Sequence, residues 1–220
     1  MNYPNDMFVR TIDYAILKPT TTEADVRREA RYAATMNFAS FCTYPQYIKA
    51  AAEELEGSST VPSAVIGFPL GNFPAFVKVR EAEFALQNGA RELDMVMNIA
   101  SFANEDYGYV KSEIWELAKV THDNDALLKV IIETCYLNTT KMLLACLLAE
   151  QGGADYVKTS TGFGTEGAEL FKTNVMVLNV DGKMGVKASG GIKTRERAEE
   201  FLKMGCARLG IGSAIKEIMK

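Results

Sequence analysis

Along this chain a short apolar run of strand character is followed by a longer segment with helical periodicity eight times over, at intervals of about thirty residues. Such alternation constrains a chain strongly. Strands separated by crossover helices pair in parallel, and a parallel sheet needs both of its faces covered. The strand segments are Thr11 to Leu17, Phe38 to Tyr44, Val61 to Phe68, Glu92 to Asn98, Leu127 to Thr134, Asp155 to Thr159, Gly185 to Ala188 and Ala207 to Gly210. Between them, helices are predicted over Glu23 to Met36, from Pro45 to Leu55, over Pro74 to Asn88, in a long region containing Trp115, and over Thr139 to Gln151, Gly167 to Val180 and Thr194 to Met204; a last one, Ser213 to Met219, ends the chain. Lys18-Pro19-Thr20-Thr21-Thr22 supplies a loop and an N-cap for the first helix, and Gly89 ends the third.

Eight strand–helix units with strands too apolar to face water predict an α/β protein with the single (β/α)8 TIM-barrel architecture, in one domain over residues 1–220. A doubly wound open sheet is the alternative. It lacks support, because no Gly-x-Gly-x-x-Gly follows the first strand and the glycine turns cluster late.

Composition removes several functions. No apolar run approaches the roughly 18 residues of a membrane span and nothing resembles a signal peptide, so a cytoplasmic protein without a membrane partner is expected. The net charge of −4 offers no basic surface for nucleic acid. Cys42, Cys135, Cys146 and Cys206 are widely spaced beside apolar residues and read as reduced core cysteines. His122 is the only histidine and reads as a helix-end surface residue, so a histidine-rich zinc site is excluded.

Two strands end in lysine before glycine-rich sequence: Asp155-Tyr156-Val157-Lys158-Thr159-Ser160-Thr161-Gly162 and Gly185-Val186-Lys187-Ala188-Ser189-Gly190-Gly191. Alternate strand residues share a side, which places Asp94, Lys129, Glu133, Lys158 and Lys187 together inside the barrel. One reading is a buried ion-pair network in which Asp94 and Glu133 neutralise the lysines. The other is chemical: lysines converging near the C-terminal strand ends occupy the address of a barrel active site. Desolvation and a neighbouring ammonium both favour the free amine, so Lys158 and Lys187 suit Schiff-base chemistry on a carbonyl substrate, with Asp94 moving protons. Gly190-Gly191 and Gly210-Ile211-Gly212-Ser213, after the last two strands, suit a phosphate.

Thr11-Ile12-Asp13, Phe41-Cys42-Thr43-Tyr44-Pro45, Val65 to Gly71, Glu92 to Val96, Leu128 to Thr134, Lys158 to Phe163 and Val186 to Gly191 closely resemble the motifs of the 2-deoxyribose-5-phosphate aldolase family, in order over nearly the whole chain. The resemblance implies a cofactor-free, metal-free class I aldolase acting on a small sugar phosphate, 2-deoxy-D-ribose 5-phosphate, and yielding acetaldehyde and D-glyceraldehyde 3-phosphate. It makes Lys158 the Schiff-base lysine, Lys187 the lysine that depresses its pKa, and Asp94 the proton relay. It assigns Asp13, Cys42 and Lys129 to the substrate site and Gly162, Gly190, Gly191 and Ser213 to the phosphate, and it implies a possible homodimer. The chain departs from the family at Tyr14-Ala15, where a hydroxyl is lost, at Gly212 of the phosphate turn, in the segment Glu169 to Asn174, and in ending on Met219-Lys220 where some members have a tyrosine. Two alternatives follow: a Schiff-base aldolase with another aldehyde preference, or a sugar-phosphate-binding barrel without catalysis.

Overall fold

In the computed structural model, which describes residues 3–220, eight parallel strands close into a barrel in sequential order. They are β1 (Ile12–Ala15), β2 (Ser40–Thr43), β3 (Val61–Ile66), β4 (Glu92–Val96), β5 (Leu127–Ile131), β6 (Tyr156–Lys158), β7 (Gly185–Ser189) and β8 (Arg208–Ile211). The barrel closes through β1 and β8, with Asp13 paired to Gly210. The helices are α1 (Asn5–Val9), α2 (Glu23–Met36), α3 (Ile48–Leu55), α4 (Ala75–Gln87), α5 (Ile99–Ala103), α6 (Tyr107–His122), α7 (Thr139–Gln151), α8 (Leu170–Val180), α9 (Arg195–Met204) and α10 (Ile215–Ile218).

Local chemistry explains several boundaries. Thr22 and Asp25 form a reciprocal capping box at the start of α2: Asp25 N donates to Thr22 Oγ1, and Thr22 N to Asp25 Oδ2. Asn138 and Thr194 cap α7 and α9 in the same sense, each accepting from the backbone N–H three residues on. At the other end, α9 stops at Gly205, which is left-handed with φ 114°.

Alternation along the strands divides two cores. Leu93, Met95, Val130 and Val157 point outward and are fully buried against the helices. Asp94, Lys129, Lys158 and Lys187 point the other way, and the register sets Asp94 beside Lys129 and Lys158 beside Lys187.

The structure differs from the sequence expectations in detail. The segment before the first strand folds as α1. The long region containing Trp115 divides into α5 and α6, because Asn98 and Asp106 each start a helix by accepting from the N–H three residues later. The last helix is four residues long rather than extending from Ser213 to Met219, which leaves little aligned dipole to place on a phosphate. Of the cysteines, Cys42, Cys146 and Cys206 are buried and free, while Cys135 is only partly buried. His122 sits at the end of α6, half-exposed, with Nε2 2.9 Å from Asp155 Oδ2. Among the described residues, no helix is long and apolar enough to cross a membrane.

Candidate active site

Seven charged side chains from six strands meet inside the barrel: Asp13 of β1, Glu92 and Asp94 of β4, Lys129 of β5, Lys158 of β6, Lys187 of β7 and Arg208 of β8. Asp94 is the hub. Its Oδ1 accepts from Lys129 Nζ at 2.8 Å, and its Oδ2 accepts from Lys158 Nζ at 2.7 Å and from Lys187 Nζ at 2.6 Å. Lys187 Nζ also lies 2.5 Å from Asp13 Oδ2, and Lys129 Nζ donates to Glu92 Oε2 at 2.5 Å. Room for Lys187 depends on Gly210, where a Cβ would stand 2.5 Å from Ser189 Cβ and 3.2 Å from Lys187 Cε.

This environment separates the three lysines. Burial pushes the Lys158 pKa down; Asp94 opposes that and the Lys187 ammonium adds to it, leaving the net value below that of an ordinary lysine. Lys187 and Lys129 are equally desolvated, yet Asp13 and Asp94 raise the first, and Asp94, Glu92 and Asp13 raise the second. Burial would raise Asp94, but Lys129, Lys158 and Lys187 outweigh it and hold the carboxyl well below its usual range. Asp94 is therefore an anion with every oxygen already engaged by a lysine.

Above the cluster opens a cavity of about 500 Å³ lined by Lys158, Lys187, Gly162, Gly190, Gly191 and Ser213, among others. Six of the residues expected at the site thus share one cavity. Asp13, Cys42, Asp94 and Lys129 lie beneath its floor, at most 1% exposed, and do not line it. Burial pushes the Cys42 thiol up to about 11, so it stays neutral. Among the described residues Glu133 forms no ion pair with the lysines, contrary to what parity suggested, although its charge still reaches Lys158 at longer range. The chain turns left-handed at this residue, φ 49°, and the carboxylate faces the loop after β6, where it accepts from Thr161 N at 3.2 Å and from Thr161 Oγ1. Glu92 and Arg208 take its place in the cluster. Both were legible by parity, Glu92 with Asp94 and Arg208 with Gly210. Their weight was not, because a strand of four or five residues does not reveal which charges across the barrel it meets.

Of the departures near the first strand, Tyr14 is a core residue: its hydroxyl donates to Glu29 Oε2 at 2.7 Å and its ring packs edge-on against Phe38 and Phe41. Tyr14, Ala15 and Gly212 all line the cavity. Lys18 and Lys216, on opposite ends of the chain, also line it. Among the described residues, no group of His, Cys, Asp or Glu side chains has the arrangement of a metal site.

The family model for DeoC/LacD family aldolases matches residues 10–210. The chain belongs to the DeoC/LacD aldolase family. A deoxyribose-phosphate aldolase of Thermococcus kodakarensis is 46% identical over 209 residues, covering 94% of this chain and 93% of the relative. One from Clostridioides difficile is 43% identical over 208 residues, covering 94% of each chain. Among solved structures, a tetrameric deoxyribose phosphate aldolase from Aeropyrum pernix superposes with a TM-score of 0.88 at 34% identity, covering 96% of this chain and 89% of its own. Membership makes the chain an aldolase, a lyase on a TIM barrel, and its strand-end lysines are the groups such chemistry needs.

Proposed function

We propose that this aldolase reversibly cleaves 2-deoxy-D-ribose 5-phosphate to D-glyceraldehyde 3-phosphate and acetaldehyde through a Schiff base on Lys158. The observation that carries the reading is the asymmetry of the cluster. Lys158 alone combines access to the cavity with an environment that favours the free amine.

As the amine, Lys158 adds to the C1 aldehyde of the open-chain sugar to give a carbinolamine. Departure of its hydroxyl as water takes a proton, which the Lys187 ammonium supplies through the Asp94 oxygen that both lysines share. The protonated imine then draws the electron pair of the C2–C3 bond as the C3 hydroxyl gives its proton to the Lys187 amine left by the dehydration. Glyceraldehyde 3-phosphate leaves, and the Lys187 ammonium returns that proton to C2 of the remaining enamine; the proton freed on hydrolysis restores Lys187. Hydrolysis consumes the water released earlier and returns acetaldehyde and the Lys158 amine. The turns at Gly162, Gly190 and Gly191, each at positive φ, together with Ser213, Lys18 and Lys216, suit the phosphate at the far wall of the cavity. Asp13 and Lys129, under the floor, hold Lys187 and Asp94 in place. Because Ala15 and Gly212 bring no hydroxyl of their own to the wall, a wider aldehyde range is the second reading; rates on phosphorylated and unphosphorylated aldehydes separate the two. Self-association belongs to the same reading, supported by the tetrameric relative and by exposed Phe76, Phe171 and Leu178 on the outer helices.

The test is intact mass after incubation with 2-deoxyribose 5-phosphate and borohydride, followed by adduct mapping. A reduced adduct on Lys158, absent from a folded Lys158→Ala variant, is the expected result. An unmodified wild-type chain refutes the proposal.

A further inference from the structure

The proposed reaction uses Lys158, Lys187 and Asp94, and gives no role to two side chains whose burial is costly: Glu92, 2% exposed, and Arg208, 9% exposed, at the inner end of the cluster. The charge balance of the cluster supplies that role. The three carboxylates Asp13, Glu92 and Asp94 face the four cations Lys129, Lys158, Lys187 and Arg208, so the fully ionised cluster carries one surplus positive charge.

The surplus is not shared evenly. Lys129 reaches Glu92 at 2.5 Å, Asp94 at 2.8 Å and Asp13 at 3.5 Å. Lys187 reaches Asp13 at 2.5 Å and Asp94 at 2.6 Å. Arg208 donates Nη1 to Asp13 Oδ1 at 2.6 Å and Nη2 to Glu92 Oε1, so Glu92 is shared between the arginine and Lys129, and Asp13 between the arginine, Lys187 and, more distantly, Lys129. Among the described residues Lys158 forms an ion pair only with Asp94, through an oxygen that also serves Lys187.

Resting on the reading of Lys158 as the Schiff-base lysine, we propose that Arg208 and Glu92 are positioning residues that decide which lysine gives up its proton, because Arg208 consumes one oxygen each of Asp13 and Glu92 and thereby leaves Lys158 as the uncompensated cation. No other group facing the cluster forms an ion pair with Lys158 among the described residues. Cys42 of β2 is a neutral thiol, β3 offers the hydroxyl of Ser63, and Tyr156 of β6 lies with its ring centroid 5.9 Å from the Arg208 guanidinium. Glu133, the one further carboxylate nearby, is engaged with Thr161 and among the described residues pairs with no lysine; its charge reaches Lys158 at longer range and is the same in every variant compared. A charge removed from either inner residue therefore acts on Lys158 with a sign set by that charge.

The experiment measures the pH dependence of adduct formation on Lys158 with acetaldehyde and borohydride, for wild type, Arg208→Met, Glu92→Gln and Arg208→Lys. The wild-type profile fixes the reagent's own response to pH. Arg208→Met frees two carboxylate oxygens, so Lys158 keeps its proton and the acid limb moves up by about one pH unit, an approximately tenfold loss of amine at fixed pH below the limb. Glu92→Gln removes a negative charge and moves the limb down by a similar amount. Arg208→Lys restores the charge and returns the limb towards wild type. Limbs that stay put in folded Arg208→Met and Glu92→Gln, or that move in the same direction for both, overturn the proposal, since a merely structural role lowers rates without opposite pH shifts. If Arg208→Met does not fold, Glu92→Gln and Arg208→Lys still decide, by a lowered limb in the first and an unmoved one in the second. A wild-type chain that forms no adduct overturns the aldolase reading as well. A wild-type adduct with unmoved variant limbs overturns this inference alone.

Discussion

Lys78 of α4 and Glu113 of α6 form a second buried ion pair, outside the barrel, and breaking it should be expensive in a pH-dependent way. Both side chains are fully buried, with Lys78 Nζ 2.7 Å from Glu113 Oε1. The pair also holds the end of the strand that carries Asp94: Lys78 Nζ donates to Val96 O at 2.8 Å, and Glu113 Oε2 accepts from Asn98 N at 2.9 Å. Burial pushes Lys78 down and Glu113 up, each partner only partly offsetting it, so desolvation outweighs attraction on both sides. Lys78→Met keeps most of the stem volume but leaves Val96 O without a donor and Glu113 without its cation. Removing one member of a buried pair costs about 3–5 kcal/mol. Protonation of Glu113 relieves part of that cost at low pH. A carboxyl raised above its unfolded value of 4.5 favours folding fully below that value and loses the benefit as pH rises through the folded value. Urea unfolding at pH 8 should therefore show a loss of about 3 kcal/mol for Lys78→Met, a smaller loss at pH 5, and partial recovery at pH 8 in Lys78→Met/Glu113→Gln, which keeps an acceptor for Asn98 N. Equal losses at both pH values, with the double variant costing the sum of the singles, would refute the reasoning.

Gly210→Ala places a Cβ against Ser189 and Lys187 Cε; it should cost about 1–3 kcal/mol in thermal unfolding and lower kcat more than it raises KM, because Lys187 is displaced from Asp94. Thr161→Val removes the hydroxyl that donates to Glu133 Oε2 and accepts from Phe163 N at 3.0 Å; a loss of about 1–2 kcal/mol and a several-fold rise in KM are expected as the Gly162 turn loosens, and an unchanged KM would count against it. Burial would raise the Asp13 carboxyl, but Lys187, Lys129 and Arg208 outweigh it and hold the group well below its ordinary value of 3.8. The stability it contributes is complete above that ordinary value and lost as pH falls towards the folded one, so Asp13→Asn should flatten the acid limb of the stability curve, measured by urea unfolding between about pH 2 and 5.

The sequence alone determined the architecture, because alternating short apolar strands and amphipathic helices leave a parallel barrel as the arrangement that covers every strand. It also determined that Lys158, Lys187, Asp94 and Lys129 share the barrel interior, since side-chain parity is fixed by strand geometry wherever the boundaries are read correctly. Parity failed for Glu133 because the backbone turns left-handed there and the strand has already ended. What only the tertiary structure decided is which charge meets which. Arg208 donates to Asp13 across 195 residues of sequence and to Glu92 across 116, contacts set by barrel closure and strand stagger rather than by any local pattern. Those pairings give Lys129 and Lys187 two or more carboxylates each and leave Lys158 with Asp94 as its ion-pair partner among the described residues, a distribution that no local sequence pattern encodes.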